Sequence, residues 1–289
     1  MKNISQTNRA ILAALAVAVG LFMVAVAPFL IQVSMERVVA ALVEVSKEQP
    51  QYASGIMLFS YTFPLYRALI FVGGVALILF ARSIYKGETW TYPASLLASA
   101  FPSAGGMFMF LPYVSWVEGF PIPMAISMVG LVFFWSMIFL GNSDKWLKWG
   151  HFLALTFAGM LTTHAFTIGI GNLRMLLTRP EKPLYGGLEW WVLSWSGPVQ
   201  WICVILLFVG IYQIASRRTS GWWLGLLAGA AILAIDVPTQ VIRTTMSEST
   251  SWDYLYGSLL SIGLLFALLF PKFRNVLIEE RECCCKEKE

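Results

Sequence analysis

Charge is scarce in this chain: Asp, Glu, Lys and Arg together make up 12% of 289 residues, and only two histidines and four cysteines occur. The shortage of charge excludes a water-exposed surface of the usual kind, because soluble domains carry about a quarter of their residues as charges. Three of the four cysteines stand side by side as Cys283, Cys284 and Cys285, so no disulfide framework is encoded. Two histidines are too few for a multi-histidine centre. The chain has no Walker loop, Gly-x-Ser-x-Gly elbow or His-Glu-x-x-His motif, which disfavours nucleotide-driven pumps and ordinary hydrolases. The reading leans away from an enzyme.

What the chain has instead is apolar sequence. Hydrophobic residues make up 58% and the mean hydropathy is +0.70, more apolar surface than one soluble core can hide. A membrane-spanning helix needs about 20 mostly apolar residues. Such runs fall at about 10–34, 57–82, 93–114, 122–141, 147–171, 191–214, 222–245 and 254–270. They are continuous rather than alternating, which excludes barrel strands. The expected class is an all-α integral membrane protein with about eight transmembrane helices.

Thirteen of the twenty Lys and Arg residues fall on the side that holds the N-terminus, so both termini are expected to be cytoplasmic in a multi-pass protein of the cell membrane. That asymmetry accounts for the net charge of +4 without invoking nucleic acid. Lys2 and Arg9 before an apolar run imitate a secretory signal, but Pro28 directly after Ala25-Val26-Ala27 is unsuited to cleavage, and the run extends far enough to span.

An internal duplication is the most informative pattern. Glu48-Gln49-Pro50-Gln51-Tyr52 aligns with Glu181-Lys182-Pro183-Leu184-Tyr185, Leu96-Leu97-Ala98-Ser99-Ala100 with Leu226-Leu227-Ala228-Gly229-Ala230, and Ser115-Trp116 with Ser251-Trp252. The chain therefore divides into a four-helix repeat at 1–144 with an outer loop at 35–56, a second at 145–275 with an outer loop at 172–190, and a cytoplasmic tail at 276–289. Repeats four helices apart insert in the same orientation and are expected to be related about the membrane normal. Within the first loop, Val38, Val39, Leu42 and Val45 at helical spacing predict an interfacial helix over Met35 to Lys47. Trp116, Trp190, Trp191, Trp195 and Trp252 form an expected outer aromatic belt.

Polar residues inside apolar spans mark candidate sites. Asp236 lies near the middle of the seventh span, and Gln240 and Arg243 follow at spacings of four and seven, on one helical face. His164 in the fifth span and Gln200 in the sixth are expected at a similar depth. Together His164, Gln200, Asp236, Gln240 and Arg243 form the candidate substrate-binding site, inside the second bundle and open to the outer face. A carboxyl and an imidazole in contact there are suited to relaying protons or binding a polar headgroup. The competing reading is structural: Asp236 satisfies groups freed by Pro238, Arg243 extends to the headgroups, and His164 joins two helices. Arg67 is a second intramembrane charge, with Glu118 the nearest acidic candidate.

Two four-helix halves are similar in layout to haem A synthase, a family dependent on histidines in several helices. His151 and His164, both in the fifth span, lie about 220° apart around a helix, so one face does not present both. A single axial histidine stays compatible, and the cofactor is not fixed by the sequence. Cys203 reads as a core residue and Cys283 to Cys285 as an inert or acylated tail rather than a zinc site. Three functions survive. The first is binding or transport of a small polar or amphipathic solute, such as a lipid or quinone, with or without proton coupling. The second is a non-catalytic subunit of a larger membrane complex, and the third an enzyme acting on a lipid-like substrate with His164 and Asp236 as acid and base. The expected partners are the lipid bilayer and other membrane subunits.

Overall fold

The computed structural model describes residues 4–178, 191–246 and 252–278, and they form helices joined by short connections. Ser5 caps α1 (Gln6–Leu21) by accepting from the Asn8 N–H at 3.1 Å. A π turn, Phe22–Val26, carries α1 directly into α2 (Ala27–Glu48). Then follow α3 (Ala53–Lys86), α4 (Thr91–Trp116), α5 (Ile122–Gly141), α6 (Lys145–Thr178), α7 (Gly197–Ala215), α8 (Thr219–Met246), α9 (Asp253–Leu269) and α10 (Pro271–Leu277). Seven helical runs are long and apolar enough to cross a membrane; α9 with α10, bent by 73° at their junction, makes an eighth. All eight apolar runs of the sequence are thus helical.

Proline explains the π turns. A proline lacks an N–H and its ring crowds the carbonyl four residues before it. For Pro28 that carbonyl belongs to Val24, and for Pro198 to Ser194; each lies inside a π turn, Phe22–Val26 and Val192–Ser196. The helix widens by one residue where the bond would otherwise be lost.

One expectation changes. Met35 to Lys47 is helical, but it continues the first span instead of forming a separate helix in an outer loop. The helical run Gln6–Glu48 is 43 residues long, about 65 Å at 1.5 Å per residue. No glycine or proline interrupts it between Pro28 and Pro50. Its apolar stripe is also already covered: Val38 and Leu42 are buried, and α2 packs on α3, α4 and α5. The loop shrinks to the few residues around Pro50. Most of the second outer loop, Trp190 and Cys283 to Cys285 lie outside the described residues.

Helix neighbours fall into two rings. In the first half α1 packs on α3, α3 on α4, α4 on α5, and α5 back on α1; in the second, α6 packs on α7, α7 on α8, α8 on α9, and α9 back on α6. The halves meet mainly through α4, which packs on both α6 and α7. Among the described residues α8 makes no comparably extensive contact with α1 or α3, as a closed two-fold about the membrane normal would require. The bundle has a proximal end, where α1 begins and α9 ends, and a distal end carrying Gln49, Trp116 and Trp252.

Close packing and an apolar exterior accompany each other. Gly20 and Gly74 let α1 and α3 approach so closely that a methyl group on either would overlap the other's carbonyl. Outward-facing side chains such as Phe29, Leu79 and Ile205 are exposed by 71%, 71% and 65%. That surface is compatible with a helical membrane protein and far exceeds the apolar patches water tolerates.

A buried polar network ties the proximal end together. Asn142 Nδ2 donates to the Tyr92 hydroxyl at 2.8 Å, and Tyr92 meets His151 Nδ1 at 2.9 Å. His151 Nε2 lies 3.3 Å from the Ile214 carbonyl, which can only accept, so Nε2 carries the proton and Tyr92 donates to Nδ1. His151 is 1% exposed and borders no candidate site. Replacing it with leucine leaves the buried Tyr92 hydroxyl without an acceptor, while the Ile214 carbonyl keeps the Arg217 N–H at 2.8 Å, and is expected to cost about 1 to 2 kcal/mol of stability. Thermal unfolding in detergent checks this, and His151→Leu with Tyr92→Phe should cost less than the two losses added.

Candidate functional site

The polar residues of the second half converge between α6, α7 and α8. Asp236, fully buried on α8, holds the centre. Its Oδ1 accepts from Gln200 Nε2 at 2.6 Å, and its Oδ2 lies 3.1 Å from His164 Nε2. Three helices therefore meet at one carboxyl through side chains alone. The partners are not backbone groups released near Pro238, so the local structural role considered for Asp236 is not the one it plays. Gln200 Oε1 is buried without a hydrogen-bond partner, so the amide is held from one side only.

Glycine completes the site. On α9, Gly257 stands so close to the pair that a methyl group there would overlap both Asp236 Oδ2 and His164 Nε2. No other residue type lets α9 close over the two side chains at this distance. Thr162, Thr163 and Thr167, the hydroxyl residues nearest His164 in sequence, each donate to the carbonyl four residues earlier in α6 and so hydrogen-bond within their own helix.

His164 also borders a cavity of about 840 Å³. No described residue hydrogen-bonds its Nδ1, so this nitrogen is the one offered to a solute while Nε2 stays on Asp236. The proton between carboxyl and imidazole can sit on either partner: an ionised carboxylate accepts from Nε2–H, and a carboxylic acid donates to a bare Nε2. The pair can therefore take up or release one proton through Nδ1 without losing its internal hydrogen bond.

The walls come from both halves. Phe59 of α3, Met107 of α4 and Leu131 of α5 face Gly159 and Met160 of α6 and Leu260 of α9. The cavity thus lies between the two bundles, whereas Asp236 and Gln200 behind His164 lie inside the second. No family model, curated protein or solved structure matches this chain. The functional argument accordingly rests on its own residues.

Of the five candidate residues, His164, Gln200 and Asp236 are brought together, Arg243 lines the far mouth of the cavity that His164 borders, and Gln240 is turned to the start of α9. Gln240 Oε1 accepts the Leu255 N–H at 2.9 Å, in the first turn of α9, where no side chain of that helix supplies a cap. Arg243 lies over the Tyr254 ring, 5.6 Å from its centre, and lines the distal mouth of the cavity. Arg174 lies over Tyr52 at 5.3 Å from the ring centre and lines the same mouth. Sequence reasoning missed Gly257, Arg174 and Tyr52, because nothing in the sequence says which helices face one another. Arg67 pairs with Gln32 Oε1 at 2.8 Å, and Gln32 in turn donates to Glu36 at 2.7 Å. Glu118 is not its partner.

Among the described residues no cluster of three or more His, Cys, Asp and Glu could hold a metal. Cys203 is buried and its thiol faces the Ala228 carbonyl at 3.8 Å, in keeping with a core role.

Proposed function

We propose that this chain is a multi-pass membrane protein that binds or translocates a small polar or amphipathic solute in the cavity between its two bundles. His164 is the contact residue, and Asp236 and Gln200 position it. One observation carries the reading: a fully buried carboxyl is tied to a histidine that borders a large, mostly apolar cavity. Ionisable side chains that deep in a helical membrane protein mark solute or proton paths more often than packing sites. Large apolar cavities with a few fixed polar groups are the usual form of small-molecule sites.

Several features support insertion in a membrane with the proximal end cytoplasmic. Trp90, Trp146, Trp149 and Trp223 are exposed near the proximal end, and Trp195 and Trp252 near the distal end. Along α4, Trp90 and Trp116 bracket about 39 Å, close to the ~40 Å between the headgroup regions of a bilayer. Basic residues outnumber acidic ones at the proximal end, where Arg82, Lys86, Lys145, Lys148, Arg217, Arg218, Lys272 and Arg274 lie. The matching helix rings and the long first helix of each half, Gln6–Glu48 and Lys145–Thr178, support an origin by duplication. In this reading only the second copy has gained an ionisable pair.

Mass spectrometry of organic extracts from protein purified in mild detergent tests the proposal. Wild type should release a defined small molecule. His164→Ala and Asp236→Asn should release at least about tenfold less, as expected when a buried hydrogen bond worth ~1.5 kcal/mol is lost, with purified yield unchanged. Equal recovery from all three proteins would refute a role for the pair.

A further inference from the structure

The cavity changes character along its length. Around His164 its walls are mostly apolar, with Phe59, Met107, Leu131 and Met160, whereas its distal mouth carries two guanidinium groups, Arg174 and Arg243. Asn172 lines that region too; it is 6% exposed, and its Nδ2 is buried without a hydrogen-bond partner. Along α6, the wall from Leu155 to Arg174 extends about 28 Å. One leaflet of a bilayer is about 20 Å deep, so the cavity is long enough for a single lipid molecule. It also runs in the direction a lipid would lie.

We infer that the cavity holds one membrane lipid with a singly anionic phosphate headgroup, seated at Arg174 and Arg243 with its acyl chains running past His164. Guanidinium groups are the preferred partners of phosphate because their donors match its oxygens in pairs. Asn172 borders the same region, with its Nδ2 packed beside Gly197 of α7 and unpaired among the described residues. Asp253 is the one acidic side chain among the described lining residues. It disfavours a second negative charge and favours a headgroup with hydroxyl donors, which points to a glycerol phosphodiester rather than a polyanionic lipid. Gly159 borders the apolar section, and a methyl group there would meet no atom of another helix within 4 Å. Lipid rather than protein is thus the natural contact for that stretch of α6.

This inference deepens the proposed solute site by naming its ligand class, and it rests on the cavity being a binding compartment. The test is native mass spectrometry of the full chain in mild detergent, titrated with phosphatidylglycerol and, separately, phosphatidylcholine. Wild type should retain one phosphatidylglycerol about tenfold more tightly than phosphatidylcholine, the effect of one charge-assisted contact. Arg243→Gln should remove most of that preference and Arg243→Lys should restore part of it. Gly159→Trp should fill the apolar section and expel the retained lipid while the protein stays folded. His164→Ala should weaken retention of both lipids alike and leave the preference for phosphatidylglycerol, which separates failure of the polar pair from failure of the headgroup seat. Equal binding of the two lipids by wild type, or retention unaffected by Gly159→Trp, would overturn the inference and place the lipid on the outer surface.

Discussion

Asp236→Ala protein is expected to unfold well below the wild-type temperature, with a loss on the order of 3 kcal/mol, whereas Asp236→Asn should lose less than about 1 kcal/mol. The carboxyl satisfies two buried donors, Gln200 Nε2 and His164 Nε2. Alanine leaves both unpaired inside a three-helix junction, where each costs about 1 to 3 kcal/mol. Asparagine keeps an oxygen for Gln200, and its amide can donate to His164 once the imidazole moves its proton to Nδ1. The fold is then retained, but the proton can no longer be shared. Thermal unfolding of the two purified variants separates the structural part of Asp236 from its chemical part. Equal losses would mean that charge, rather than hydrogen bonding, holds the junction.

Gly257→Val should be nearly as damaging and should also separate the pair. Any side chain at 257 overlaps the tips of both Asp236 and His164, so either α9 moves outward or the hydrogen bond breaks. Overpacking of this kind costs about 1 to 3 kcal/mol before the lost bond is counted. Gly159→Ala is the control: its added methyl meets open space, and removing a helical glycine should stabilise by about 0.5 to 1 kcal/mol. Comparing unfolding temperature and solute recovery for the two variants distinguishes a glycine required by contact from one merely tolerated. A neutral Gly257→Val variant would show that α9 does not close over the site.

The spans were legible because hydropathy averages over about twenty residues and needs no knowledge of neighbours. His164, Gln200 and Asp236 were legible for a related reason: polar groups inside apolar runs must find partners, and three at similar depth find one another most directly. Gln240 and Arg243 share a helical face with Asp236 but sit further towards the distal end, where competing partners exist. The unmet N–H of Leu255 takes Gln240, and the ring of Tyr254 takes Arg243. Both lie at the start of α9, whose position beside α8 no periodicity reveals. Met35 to Lys47 misled for the opposite reason. Its amphipathic stripe fits a membrane surface or a protein neighbour equally well, and only the packing of α2 on α3, α4 and α5 decides between them. Gly257 had no local signature among 23 glycines, since its role depends on the side chains across from it.

An experimental density map of the wild-type chain in lipid nanodiscs measures the central claim directly. Continuous non-protein density should fill the space between the bundles, touch His164 and reach Arg174 and Arg243, with α9 closed over the Asp236 pair. A collapsed cavity, or His164 and Asp236 turned apart towards the acyl chains, would contradict the account.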